Sequence, residues 1–208
     1  MPHVKISIKF KAKILHATDL HFNQRWFKFI KDIESNFDVV CITGDFIDAF
    51  DESRIAPQIA YVSKWITNFT KPVFVCSGNH DVGLAYEQEW LNDIPNIYAD
   101  NVVKEIDGVK FGCVPYLRPN YEKFTQCDVL LSHVPPAYMK ASVGYSGDDY
   151  GSEKLYNAIS KRVIAPKILL CGHIHNPIKN ICRLKYTTIY NPGCDRNLKE
   201  PKIIVVEI

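Results

Sequence analysis

The sequence predicts an α/β fold in which a largely parallel first half is followed by a second half with antiparallel pairing. Three observations carry that expectation. Short β-branched runs alternate with amphipathic stretches up to Cys76, the pattern of crossovers joining parallel strands. Nearly every apolar run ends on Asp, His or Asn. Asp107-Gly108 sits between two further strand-like runs and is the strongest hairpin signal in the chain.

Val4 to Phe10 alternates apolar and polar residues, as an edge strand with one solvated face would. Ala12 to Ala17 reads as a more buried strand ending at Thr18-Asp19-Leu20-His21. Asp19 and His21 are two apart and can point the same way from extended chain. From about Asn23 to Asn36, Trp26, Phe29, Ile30 and Ile33 recur at helical spacing. Asp38 to Thr43 is a short buried strand that runs into Gly44-Asp45-Phe46-Ile47-Asp48. A second helix spans Ile55 to Asn68, and the strand Pro72 to Val75 feeds Gly78-Asn79-His80-Asp81. Ligands in such sheets bind beyond the carboxyl ends of the strands.

The middle of the chain changes character. Val102 to Ile106 and Val109 to Val114 flank the Asp-Gly turn and imply a second layer of sheet. Asp128 to Leu131 is another strand, ending at Ser132-His133, and Pro135-Pro136 then stops regular structure and leaves His133 on a rigid loop. Residues 137–151, rich in Gly, Tyr, Ser and Asp, read as a surface loop. Ser152 is a plausible N-cap for a helix from Glu153 to about Arg162. Ile168 to Cys171 is the next strand and ends at Gly172-His173-Ile174-His175. Two or three closing strands follow, with Asn191-Pro192-Gly193 as the turn between them. Without an internal repeat or linker, one domain over residues 1–208 is expected.

Composition narrows the class. The 208 residues are 47% apolar and 23% charged, an ordinary globular balance. Twenty-five basic residues face 23 acidic ones, so the net charge of +2 makes no case for nucleic acid or membrane. No run is apolar enough to cross a bilayer, and Met1-Pro2-His3-Val4-Lys5 lacks the apolar core of a secretory signal. The seven cysteines are odd in number and none has Cys-x-x-Cys spacing. Buried free thiols in a reducing cytoplasm are therefore expected, and neither a disulfide framework nor a thiolate zinc site.

Asp19/His21, Asp45/Asp48, Asn79/His80, His133 and His173/His175 each follow an apolar strand. A single strand-end histidine is usually an ordinary hydrogen-bonding residue; five such clusters at the ends of one set of strands point to a metal site. A tetrahedral ion takes about four ligands and an octahedral one about six. Seven strong candidates among these nine residues suit two ions sharing a bridging carboxylate, about 3.5–4 Å apart. Nitrogen and oxygen donors suit manganese, iron or zinc, and not calcium.

Asp19-x-His21, Gly44-Asp45-x-x-Asp48, Gly78-Asn79-His80-Asp81, His133 and Gly172-His173-x-His175 occur in the order of the calcineurin-like metallophosphoesterase superfamily, which this chain resembles over about residues 13–193. The resemblance implies a four-layer sandwich of two mixed β-sheets flanked by helices. It implies that Asp19, His21 and His175 hold one metal, that Asn79, His133 and His173 hold the other, and that Asp45 bridges. Two divalent transition-metal ions are implied, from manganese, iron, zinc or nickel, with manganese preferred. His80 would stand by the leaving-group oxygen, oriented by Asp48, while Asp81 lies outside the catalytic set.

Protein phosphatases of that superfamily carry Arg-Gly after Gly-Asp-x-x-Asp and Glu after Gly-Asn-His; this chain has Ala49-Phe50 and Asp81. Both departures favour phosphodiesterase-like branches acting on a small phosphoester. Asp149-Tyr150-Gly151-Ser152-x-x-Leu155 resembles small enzymes of that kind acting on cyclic nucleotides or artificial diesters. Tyr116, Tyr145 and Tyr150 could stack on a base. Two other classes compete: a nuclease of the superfamily, disfavoured by length and charge, and a non-catalytic scaffold like the single-domain retromer subunit, disfavoured by the complete ligand set.

Overall fold

The computed structural model describes residues 12–82 and 90–208, and the expected Val4–Phe10 strand lies outside the described residues. In the first sheet β1 (Lys13–Ala17), β2 (Val39–Thr43) and β3 (Val73–Cys76) run parallel. Helices α1 (Gln24–Ile33) and α2 (Ile55–Ile66) make the crossovers. The predicted first helix is thus split into α1 and a 3-10 turn at Glu34–Asn36.

The second sheet begins with the expected hairpin, β4 (Val103–Ile106) and β5 (Val109–Val114). Asp107 and Gly108 both take φ above zero, at 48° and 80°, the backbone that matches strand twist in a two-residue turn. From β5 the sheet continues in parallel through β6 (Val129–Ser132), β7 (Ile168–Leu170) and β9 (Thr187–Tyr190). At its far edge β8 (Ile181–Leu184) pairs antiparallel with β9. The crossover from β6 to β7 carries α3 (Glu153–Ser160), where Ser152 caps as predicted: its hydroxyl accepts the Leu155 N–H at 3.1 Å.

The closing strands differ from expectation. The turn of the last hairpin is Lys185-Tyr186, between β8 and β9, and Asn191-Pro192-Gly193 starts a crossing to the other sheet. There β10 (Ile204–Glu207) pairs antiparallel with β1. The physical reason is Asn191, which is fully buried. Its amide donates to the carbonyls of Ala141, Gly172 and Ile174, so it clamps a loop where a turn residue would face solvent.

Side-chain alternation then sorts the core into layers. Leu15, Val40, Ile42 and Val75 face α1 and α2, meeting Trp26, Phe27, Ile30, Val62 and Trp65. Ile14, Val39, Cys41, Phe74 and Cys76 face the second sheet and meet Phe111, Cys113, Leu131 and Leu170. The outer face of the second sheet packs Leu130, Leu169 and Ile189 on Leu155 and Ile159 of α3. Helix, sheet, sheet, helix is the four-layer arrangement expected. All seven cysteines are free, and burial pushes the Cys41, Cys76 and Cys113 thiols up.

The inter-sheet layer sets the spacing on which everything at the strand ends depends. Phe74 and Phe111 stack across it with ring centroids 4.5 Å apart, both fully buried. Phe74→Ala should lower the unfolding free energy by about 3–5 kcal/mol in urea titrations. A loss below about 1 kcal/mol would show that the layer collapses without it.

Candidate metal centre

Strands β1, β2, β3, β6 and β7 all release their polar residues at one edge of the sandwich. The β1 and β2 loops are joined by backbone bonds: Asp19 N–H to Gly44 O (3.1 Å), His21 N–H to Asp45 O (2.8 Å) and Phe22 N–H to Phe46 O (2.8 Å). These bonds hold Asp19, His21, Phe22 and Asp45 in left-handed conformations, with φ from 41° to 55°. His173 adds φ of 68°. Each costs about 1–2 kcal/mol for an L-residue, and such strain collects at functional sites. Gly44 and Gly78 permit the closest approach. A Cβ on Gly44 would lie 2.7 Å from Gly78 Cα, and one on Gly78 would lie 2.3 Å from Asp45 Oδ1.

Asp81 fastens these turns. Its carboxylate is buried and accepts four backbone N–H groups: Asp45 (2.7 Å), Phe46 (2.9 Å), Ile47 (3.4 Å) and Gly78 (2.8 Å). Burial and the neighbouring Asp45 raise its pKa to about 7, against the pull of those donors. Both oxygens face N–H donors, so the geometry is built for the ionised form. Asp81 was expected outside the catalytic set, and its place is beneath the turns.

Two groups of candidate ligands form above it. In the first, Asp19 Oδ1 lies 3.5 Å from His175 Nε2 and 3.9 Å from His21 Nε2, and the two nitrogens are 3.1 Å apart. Asp19 Oδ2 is satisfied by the Thr18 hydroxyl (2.8 Å) and the His173 N–H (3.0 Å). Oδ1 is buried with no hydrogen-bond partner. In the second group, Asn79 Oδ1 lies 3.0 Å from both His133 Nε2 and His173 Nδ1. His133 Nδ1 donates to the Thr43 carbonyl at 2.7 Å, which leaves Nε2 facing the cluster. Asp45 Oδ2 stands between the groups, 3.4 Å from His133 Nε2 and 3.8 Å from His21 Nε2. All seven predicted ligands are thus brought together.

The donor set fits metal ions. Ligands about 2.1 Å from a shared ion stand roughly 3.0–3.5 Å apart, close to the spacings found. Converging acceptor atoms also need a positive charge among them. In the metal-free protein a proton can serve. Burial pushes the His133 imidazolium down, but Asp45 and Asp19 outweigh it and raise the pKa to about 9. Burial lowers His21 and His173 to about 4. For Asp19 and Asp45 burial opposes the charge, yet the facing histidines hold both carboxyls below their usual range.

His80 borders the cluster, its ring edge-on to His21 with centroids 4.7 Å apart. The Asp48 carboxylate, expected to orient it, makes no hydrogen bond to it. The Ala49 N–H donates to His80 Nδ1 at 3.3 Å, which puts the proton of the neutral ring on Nε2. Asp48 Oδ1 has no hydrogen-bond partner, and Oδ2 lies 3.8 Å from Arg196 Nη1. Gln58 fixes this turn, its amide bonding the Asp48 N–H (2.7 Å) and carbonyl (3.0 Å). The residues that sequence reasoning misses are the supports: Gln58, Thr43, Asn191, and buried His16, bonded to the Thr43 hydroxyl at 2.9 Å. A polar residue inside an apolar run, as with His16, is the one available signal.

With this geometry in hand, the sequence profile described as calcineurin-like phosphoesterase matches residues 12–177. The chain belongs to that family, and so to the phosphoester hydrolases that work with paired metal ions. Solved structures agree on the fold. TT1561 of Thermus thermophilus is 12% identical with a TM-score of 0.61, the alignment covering 95% of this chain and 99% of that one. Purple acid phosphatase PPD1 from yellow lupin (Lupinus luteus) seeds is 15% identical with a TM-score of 0.60, covering 88% of this chain and 44% of that larger protein. No curated protein sequence matches. Among the described residues no helix is long and apolar enough to cross a membrane.

Asp81→Asn should replace one acceptor oxygen with a donor and strand two buried N–H groups, at about 1–3 kcal/mol each. The thermal midpoint and the metal content measured by plasma mass spectrometry should fall together; unchanged metal content would separate Asp81 from the centre. Metal must also displace the His133 proton. Between about pH 7 and 9 the affinity should rise roughly tenfold per pH unit. The His133–Asp45 pair stabilises the metal-free fold fully below the unfolded histidine pKa of 6.5, and that contribution is lost as pH rises through about 9. A pH-independent metal affinity over this window would contradict both statements.

Proposed function

We propose that this chain is a dinuclear metal-dependent phosphodiesterase acting on a small phosphoester. A nucleotide is the class that the Tyr116 ring beside the centre would suit, its centroid lying 6.1 Å from that of His133. One observation carries the reading. Asp45 Oδ2 stands between two ligand groups, and His80 stands at their edge, with a ring nitrogen within 4.8 Å of donor atoms of His21 and Asp45. Ala49-Phe50 and Asp81 supply the branch assignment, in place of the residues of protein phosphatases.

Asp19, His21 and His175 would hold one ion, Asn79, His133 and His173 the other, with Asp45 shared. Manganese is the first choice among ions that accept nitrogen and oxygen donors. Bound there, such ions lower the pKa of a water, from ~15.7 towards ~7 for zinc, and neutralise phosphoryl oxygens. The protein supplies the rest. His80, once protonated, gives a proton to the departing oxygen from Nε2; taking up its second proton on Nδ1 releases the Ala49 N–H that this nitrogen accepts in the neutral ring. Asp48 would orient that ring only by turning its carboxylate from Arg196, which Oδ2 faces at 3.8 Å. The free cysteines fit a reducing, cytoplasmic setting.

The test is hydrolysis of bis-p-nitrophenyl phosphate with added manganese. His80→Gln should keep its metal and lose roughly 10²–10⁴-fold in kcat, with the larger loss on alkyl esters, whose leaving groups need the proton. Equal losses on p-nitrophenyl and alkyl esters would remove His80 from the acid role, and no metal-dependent turnover at all would sink the enzymatic reading.

A further inference from the structure

A cleft of about 440 Å³ opens beside the metal centre, between the start of α1 and the segment that leads to β10. Arg25, Arg196 and Lys199 line it, together with Asn23 and Asn197, over the ring of Phe22. No carboxylate lines it among the described residues. The nearby Asp195 is turned onto the Asn197 N–H at 3.0 Å. Arg25 and Lys199 form no ion pair with a described residue, and Arg196 reaches only Asp48 Oδ2, at 3.8 Å and partly exposed. Three cations thus share one long, partly exposed contact with a carboxylate, and a bound anion would complement the charge left over.

The Trp26 indole donates to the Leu198 carbonyl at 3.2 Å, tying the 196–199 segment to α1. Asn23 makes no side-chain cap bond, so the positive end of α1 adds to the charge that the three side chains supply. The cleft also adjoins the chemistry. Phe22 is shared with a second cavity of about 190 Å³, lined by His21, Asp48 and Phe50, and the Phe50 ring lies edge-on to His80 with centroids 5.2 Å apart. A group in the basic cleft would therefore be attached on the leaving-group side of an ester held at the metals.

We infer that the cleft binds a second phosphate of the substrate, so that the preferred small diester carries a terminal phosphate besides the scissile one. This rests on the phosphodiesterase reading. Arg196 would present its unused N–H groups to the phosphate oxygens, and Arg25 and Lys199 would add charge from either wall.

The experiment compares dithymidylate with and without a terminal phosphate, at the 5′ and at the 3′ end, by KM and kcat with the metal-loaded enzyme. In parallel, titration calorimetry compares thymidine 3′,5′-bisphosphate with thymidine 5′-phosphate on the metal-loaded protein, whose ions would hold one of the phosphates. One terminal phosphate should lower KM by roughly tenfold or more with little change in kcat. The bisphosphate should bind more tightly than the monophosphate. Arg196→Gln and Lys199→Gln should each shrink both ratios, and the combined variant with Arg25→Gln should abolish them. Equal KM values, equal affinities, or ratios that survive the combined variant would overturn the inference. Affinity that keeps rising with oligonucleotide length would assign the cleft to a nucleic-acid backbone and overturn it too. A bisphosphate preference in a protein that hydrolyses no diester would leave the cleft standing and sink the phosphodiesterase reading alone.

Discussion

One buried carboxylate organises the edge of the sandwich where the chemistry would occur. Asp81 accepts N–H groups from the turn after β2 and from its own turn after β3. Two parallel strands leave their sheet with unsatisfied backbone donors, and a loop bringing them inward must satisfy those donors without water. A single ionised side chain does this for four of them. The consequence is positional: Asp45, Asn79 and His80 are carried by turns that cannot move independently. Asp45 Oδ1 repeats the device by accepting the His80 N–H at 2.9 Å.

The second constraint is electrostatic. Asp19 and Asp45 are buried close together and face three histidine rings, so like charges and lone pairs converge where water is scarce. Left alone, such a cluster favours a proton on His133, which Asp45 and Asp19 raise against burial, while burial lowers His21 and His173. Divalent ions answer the same need with more charge. Left-handed backbone at Asp19, His21, Asp45 and His173 belongs to this account, because each would relax if the loops were not bonded to one another.

How much of this is legible in the sequence depends on the kind of signal. Strands announce themselves by β-branched runs, and β2 and β3 fall within a residue of expectation because apolar stretches have sharp ends. All seven ligand candidates are legible, since Asp, His and Asn at strand ends have few structural reasons to recur. The supports are not. Asn191 followed by Pro-Gly has the composition of a turn, yet it is a buried clamp on the His173 loop. Motif pairs Asp48 with His80, but the carboxylate turns towards Arg196, a residue distant in sequence and invisible to local pattern.

The sequence by itself determined what periodicity and residue type can encode: the α/β class, the hairpin at Asp107-Gly108, the α3 cap at Ser152, and the inventory of candidate ligands. Those are local properties, set by backbone preference and by side-chain alternation. Only the tertiary structure decided which sheet β10 joins, that Asp81 lies beneath the turns, and that Arg25 meets Arg196 and Lys199 across a cleft. Each of these depends on segments far apart in the chain meeting through backbone hydrogen bonds and shared burial. Such meetings leave no mark in either partner's own sequence.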